Sequence, residues 1–228
     1  MTERHPAWLW LLIVLAALST ATSVLELPAL HFVFKPLPML VAIVAVAARA
    51  YSTGARARFD LYLLAALVAS LAGDVFLMLP GNYFIPGLAS FLVAHLFYNA
   101  LFRQGMPWFP SRRALGFTLA VAGAMYAWVW AGLTDPVLRV AVAAYVSVIA
   151  LMVAQAIGRA LVLREAAAQA VGLGACVFML SDSLIAINRF VQPLQLVSVW
   201  VLATYYTAQI LIVRYARPVV PALPTTLA

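Results

Sequence analysis

Eight apolar runs occupy nearly the whole chain, at about 7–25, 36–50, 60–80, 84–102, 113–132, 136–157, 166–187 and 194–214. Each approaches the ~20 residues that a helix needs to cross a hydrocarbon core, the second being the shortest. Strands that span a membrane alternate with period two in shorter segments. These runs are instead unbroken and rich in Ala, Leu and Val. The reading is all-α: a polytopic integral membrane bundle of eight transmembrane helices. With 66% hydrophobic and 9% charged residues, the chain has far too few charges to clothe a water-soluble globule. Lipid removes that need, because an apolar outer surface is what the bilayer solvates.

Turn-forming residues mark the breaks. Pro28, Pro36 and Pro38 stand in the first connection, Ser52-Thr53-Gly54 in the second and Pro80-Gly81-Asn82 in the third. Pro107 and Pro110 mark the fourth, Thr134-Asp135-Pro136 the fifth, and Gly158 and Gln192-Pro193 the sixth and seventh. None leaves room for a separate soluble domain. Residues 1–217 are therefore read as a single transmembrane domain, and 218–228 as a short Pro-rich tail expected to be disordered. Arg4 before an apolar stretch resembles a signal peptide. The stretch is long enough to span, so it is read as a retained first helix.

Lys and Arg of short loops set orientation. Of the fourteen, Arg4, Arg49, Arg56, Arg58, Arg103, Arg112, Arg113, Arg159, Arg164, Arg214 and Arg217 fall on one side, and Lys35, Arg139 and Arg189 on the other. This bias predicts cytoplasmic N- and C-termini, with the protein in the inner (plasma) membrane of a bacterium. The net charge of +7 is dispersed over these loops rather than along one face, which argues against nucleic acid as a partner. The single cysteine, Cys176, lies in an apolar run and excludes an internal disulfide framework. Gly172-Leu173-Gly174 is likewise in an apolar helix and reads as close helix packing.

Ionisable groups within a span are functional candidates by default. Glu3, Asp60, Asp135 and Glu165 lie at ends or in loops, and Glu26 ends the first run. Asp74 and Asp182 alone sit well inside apolar runs, each about two-thirds along a helix heading outward. His95 lies mid-way along the run after Asp74 and shares a face with Tyr98 and Asn99. Ser181 adjoins Asp182, Asn188 and Arg189 end the same run, Tyr205 and Gln209 share a face of the last run, and Lys35 begins the second. Together they are expected to line one polar cavity opening to the outer leaflet. A weak internal repeat points the same way. Gly73-Asp74-Val75-Phe76-Leu77 parallels Ser181-Asp182-Ser183-Leu184-Ile185, and Tyr98 and Tyr206 each follow their aspartate by 24 residues.

Plainer roles compete. A buried aspartate can pair with Lys35 or Arg189 as packing, His95 can be a helix contact, Lys35 and Arg189 can snorkel, and Tyr98, Tyr205 and Tyr206 can be ordinary core aromatics. A metal set of Asp74, His95 and Asp182 lacks the usual histidine count, since His5 and His31 lie outside the apolar runs. No metal and no organic cofactor is expected. Two carboxylates in one low-dielectric cavity suit acid–base chemistry, one carrying the proton and the other the charge. A proton-coupled transporter or channel would also use intramembrane carboxylates. It needs polar access from both faces, however, and the inward half here is mostly Ala, Val and Leu. An intramembrane aspartyl protease also pairs two aspartates, but its glycine-rich setting is met only in part by Ala72-Gly73-Asp74.

Several segments resemble the YhhN-like lysoplasmalogenase family. They are Gly73-Asp74-Val75-Phe76-Leu77-Met78, Phe91-Leu92-Val93-Ala94-His95-Leu96-Phe97-Tyr98, Phe178-Met179-Leu180-Ser181-Asp182-Ser183 and Asn188-Arg189-Phe190, with Lys35-Pro36-Leu37-Pro38 before them. The likeness runs from the second helix to the last. It implies hydrolysis of the vinyl ether bond of a lysoplasmalogen, giving a fatty aldehyde and a glycerophospho-ethanolamine or -choline. It implies Asp74 and Asp182 as the catalytic pair. His95, Tyr98, Asn99, Ser181, Tyr205 and Tyr206 would then support them or position water, and Lys35, Asn188 and Arg189 would bind the lipid phosphate. The expected partner is a lysophospholipid in the membrane, with no obligate protein partner.

Overall fold

A computed structural model describes residues 6–53 and 57–219. Its helices are α1 (Ala7–Val24), α2 (Pro28–Phe34), α3 (Leu37–Thr53), α4 (Ala57–Met78), α5 (Phe84–Arg103), α6 (Arg112–Val129), α7 (Pro136–Leu163), α8 (Ala166–Phe190) and α9 (Val197–Tyr215), with a 3-10 turn at Trp130–Gly132. The described residues contain no strand. Eight spans are long and apolar enough to cross a membrane, because α2 and α3 together make one, Pro28–Ser52. The protein is an all-α multi-pass membrane bundle. Arg4, Arg56 and the tail from 220 lie outside the described residues.

Two boundaries differ from the sequence reading. The second span begins at Pro28 rather than Pro36: Pro28 opens a helix, where a missing N–H costs nothing, and the chain resumes helix after Lys35. His31 therefore lies within a span and not outside one. Gly158 was read as a break, but it sits inside a 28-residue α7. A Cβ there would stand 2.9 Å from Pro110 Cδ, so the glycine lets α7 pass close under the α5–α6 connection. Arg159 beside it is buried rather than in a loop. Its guanidinium donates to the carbonyls of Gln104 at 2.8 Å and Arg217 at 2.7 Å, tying α5's end to the segment after α9. Thr134-Asp135-Pro136 acts as read: Asp135 caps α7, accepting from Val137 N at 2.6 Å, with Pro136 in the first turn.

Seven helices close a ring in the order α1, α3, α4, α5, α7, α8, α9 and back to α1, each packed on the next. α6 stands outside it, packed along α7 and more lightly on α8, with no comparable contact to α5. The ring is filled by a continuous apolar cluster including Leu12, Met39, Leu63, Leu67, Phe102 and Phe178. The connections α4–α5, α6–α7 and α8–α9 lie at one end of the bundle, called here the site end.

At the opposite end, Asp60 is not the solvated terminal residue its place near a run boundary suggests. It is 2% exposed and accepts from Arg49 Nη2 at 2.6 Å, joining α3 to α4. Breaking such a pair from one side strands the remaining charge, at a cost of about 3–5 kcal/mol when burial is complete. Arg49 keeps partial exposure and Asp60 almost none. Arg49→Met is accordingly expected to lower the detergent-phase melting temperature more than Asp60→Asn does, which fluorescence-detected thermal unfolding would measure.

Candidate active site

At 1.5 Å per residue, Asp182 lies about 12 Å from the site end of α8, and His95 about 16 Å from that of α5. At these depths only protein or enclosed water can satisfy a carboxylate. Asp182 finds two partners on one oxygen. The Tyr145 hydroxyl donates to Oδ2 at 2.5 Å, and His95 Nε2 approaches the same atom at 3.2 Å. His95 Nε2 is also 3.0 Å from the Tyr145 oxygen. Tyr145 has one proton and gives it to Asp182, so His95 must carry the hydrogen on Nε2 and donate it into this pair. His95 Nδ1 finds no partner among the described residues. The node thus joins α5, α7 and α8.

Asp74 lies nearer its helix end and is 5% exposed. Tyr205 of α9 donates to its Oδ2 at 2.6 Å. Lys35 and Asp182 both lie within electrostatic range of it. The two aspartates therefore face one region of the ring interior through different partners. Phe178 fills the space between those partners, its ring packed edge-on against His95 at 4.8 Å and Tyr205 at 5.5 Å. Among the described residues, no three His, Cys, Asp or Glu side chains group closely enough to hold a metal ion.

Other expected site residues serve the frame around this centre. The Tyr206 hydroxyl donates to the Lys35 carbonyl at 3.0 Å and lies 3.2 Å from Ser19 Oγ, fixing the α2–α3 break. Tyr98 donates to Gln209 Oε1 at 2.6 Å, deeper in the ring. Asn99 Nδ2 donates to the carbonyls of His95 at 3.0 Å and Val148 at 3.3 Å, which locks α5 to α7 beneath the node. Ser181 Oγ donates to the Val201 carbonyl at 3.1 Å, joining α8 to α9. Asn188 Oδ1 accepts from Leu194 N at 2.9 Å and orders the α8–α9 connection.

Two adjoining cavities lie near the node, the second of them lined by Asp182 and Tyr145. One, of about 500 Å³, is polar and carries Ser23, His31, Lys35, Asn188, Arg189 and Ser198 on its walls. Arg189 stands over the Phe84 ring at 4.1 Å, which holds the guanidinium at this mouth. The other is an apolar slot between α5, α6, α7 and α8, and Asp182, Tyr145 and Ser183 are the residues on its wall with polar side-chain atoms. Leu77, Phe84 and Ile185 line both cavities, so the two adjoin.

Sequence reasoning missed Tyr145 and His31. Tyr145 stands alone in an apolar stretch of α7, with no polar neighbour at helical spacing to mark it. His31 was hidden by the misplaced start of the second span. A tyrosine at mid-depth in a span was itself the available signal, since its hydroxyl must find a partner there.

The human protein named lysoplasmalogenase TMEM86A is 35% identical over 153 residues, 64% of this chain and 61% of its own. The pig protein named lysoplasmalogenase TMEM86B is 34% identical over 178 residues, 78% of this chain and 71% of its own. The Mycobacterium tuberculosis protein named lysoplasmalogenase is 32% identical over 176 residues, 75% of this chain and 64% of its own. The chain thus spans less than two thirds of the human and mycobacterial relatives' length. No solved structure matches it. From within α2 to just past α9, residues 30–216 match the YhhN family, and the chain belongs to that family.

Proposed function

We propose that the protein is a lysoplasmalogenase-like hydrolase that cleaves the vinyl ether bond of a lysoplasmalogen by acid–base catalysis with Asp74 and Asp182. One observation carries the reading. A carboxylate held by a tyrosine and a histidine lies where an apolar slot adjoins a cationic cavity. A lysoplasmalogen has that division: a hydrocarbon chain, then the vinyl ether, then glycerol and a phosphate. With the chain in the slot and the phosphate near Lys35 and Arg189, the vinyl ether comes to Asp182.

Hydrolysis requires a proton on the alkene carbon beta to the oxygen, leaving an oxocarbenium ion. Water adds to the cationic carbon and loses a proton. The hemiacetal then collapses, breaking its bond to the glycerol oxygen, to a fatty aldehyde and the glycerophospho-base alcohol. One carboxyl group of the pair delivers the proton, and the other stabilises the cation and takes the proton from water. Hydrogen bonds from Tyr145 and His95 occupy Asp182 Oδ2, which directs its other oxygen toward substrate. Relatives named lysoplasmalogenase support the reaction class. The loop-charge bias supports cytoplasmic termini and a site end facing the outer leaflet.

A transporter would need passage to the far face. Beneath the node, the fully buried rings of Phe178, Tyr98 and Phe102 pack on one another, Tyr98 lying 6.1 Å from Phe178 and 5.9 Å from Phe102. This packed aromatic floor favours one-sided access.

The deciding measurement is aldehyde release from a lysoplasmalogen by purified protein in detergent. Asp74→Asn and Asp182→Asn are expected to fold and to lose activity by about 10²–10⁴-fold, the usual weight of a general acid or base. Aldehyde release unchanged in either would remove that residue from the chemistry. Lys35→Ala and Arg189→Ala should raise KM by about tenfold with kcat little changed, as loss of ground-state binding does; a fall in kcat alone would place them elsewhere. Tyr145→Phe removes one hydroxyl while keeping the ring, and kcat is expected to fall while the melting temperature holds.

A further inference from the structure

We propose that α6 is a movable wall that receives the hydrocarbon chain of the substrate and sets the length it accepts, a step that rests on the lysolipid reading above. Among the described residues α6 is the one long helix outside the ring, and it forms a wall of the slot that Asp182 also lines. Its contribution is Val121, Ala122 and Met125, which share the slot's lining with Leu88 and Phe91 of α5. The slot holds about 730 Å³ of empty space, its open mouth included, yet only about 70 Å³ of it is wide enough for the centre of a water molecule. A methylene group is wider than a water molecule, so a polymethylene chain enters this space only where the α6 wall gives way.

The packing of α6 is one-sided: it lies along α7, burying Ala114, Thr118, Ala122 and Val129, while Gly116 and Gly123 stand on its exposed face. A Cβ built on Gly116 or on Gly123 meets nothing within 4 Å. Close approach therefore requires neither glycine, although a glycine in a helix interior costs about 1 kcal/mol relative to alanine. Helix–helix contacts in lipid depend on tight van der Waals packing, and between α5 and α6 such packing is slight. A lipid chain already in the bilayer can reach Asp182 sideways through this seam, without lifting its hydrocarbon into water. Ala122 is the small residue of the wall, 7% exposed, and a larger side chain there would project into the slot. Met125 is the large flexible one, and trimming it lengthens the space.

The test uses saturated 1-O-alkyl lysophosphatidylethanolamines, which lack the vinyl bond and report binding whether or not the protein hydrolyses anything. Affinities of the octyl, hexadecyl and eicosyl compounds are measured on the full chain in detergent, beside aldehyde release from the matching vinyl ethers. Each buried methylene is worth about 0.8 kcal/mol, so losing room for two of them lowers affinity about tenfold. In wild type, hexadecyl is expected to bind more tightly than octyl. Ala122→Phe should cut that hexadecyl-to-octyl ratio by about tenfold or more, and Met125→Ala should raise the eicosyl-to-hexadecyl ratio. Phe117→Ala, on the exposed face of α6, should leave both ratios as they are. Should Ala122→Phe fail to fold, Met125→Ala carries the test alone. Length preferences identical to wild type in the folded wall variants would overturn the proposal. Shifted length preferences with no aldehyde from any vinyl ether would uphold the wall and overturn the hydrolase.

Discussion

A carboxylate in a lipid-embedded bundle cannot turn to bulk water, so the helices around it must supply its partners or it must do without charge. Asp182 meets that constraint by drawing on three helices at once. Tyr145 reaches it from α7 and His95 from α5, while Asn99, one turn deeper, holds both of those helices by their carbonyls. The backbones of α5 and α8 are not adjacent, but their side chains meet through His95, Phe178 and Asp182 beside α7, and the slot opens where α5, α7 and α8 converge.

The surroundings of the two aspartates correspond under exchange of the chain's halves. Asp74, on the third span, is neighboured by Lys35 from the second span and by Tyr205 from the eighth. Asp182, on the seventh span, is neighboured by Tyr145 from the sixth and by His95 from the fourth. Each aspartate thus takes one partner from the preceding span of its own half and one from the last span of the other half. The correspondence is positional and not chemical. A lysine stands where the other half has a tyrosine, and a tyrosine where it has a histidine, so the two carboxylates meet different proton donors in equivalent places. Under the proposed acid–base reading, that difference would bias which of the two carboxyl groups holds the proton.

Much of this was legible in the sequence because lipid makes the rules strict. The length of each apolar run gave the eight spans, and the rarity of charge within them singled out Asp74, Asp182 and His95, with Lys35 at a span's start. Asp135-Pro136 announced its helix because cap and proline act locally. Failures came where the deciding partner was distant in sequence. Gly158 reads as a break until Pro110 is seen 2.9 Å from its would-be Cβ. Asp60 reads as a terminal charge until Arg49 closes on it. Tyr145 reads as one more apolar aromatic until Asp182, 37 residues away, supplies its acceptor. Ser181 bonds the backbone of α9, and Asn188 bonds the α8–α9 connection through Oδ1 while also lining the polar cavity, partners that sequence position alone did not disclose.

The correspondence between halves fails at one helix. α1 packs against α9 and so seals the first span to the eighth. The equivalent contact would set α6 against α5, yet that contact is slight, and α7 occupies α5's flank instead. By taking that place, α7 brings Tyr145 to Asp182, and it displaces α6 to the outside of the ring. The slot and the hydrogen-bonded node are therefore consequences of one rearrangement. Moving α6 inward to complete the symmetry would require α7 to leave α5, which would separate Tyr145 from His95 and break up the node at Asp182. A bundle that keeps this carboxylate satisfied leaves its α6 outside the ring, packed on α7, and that helix walls an apolar slot beside the carboxylate.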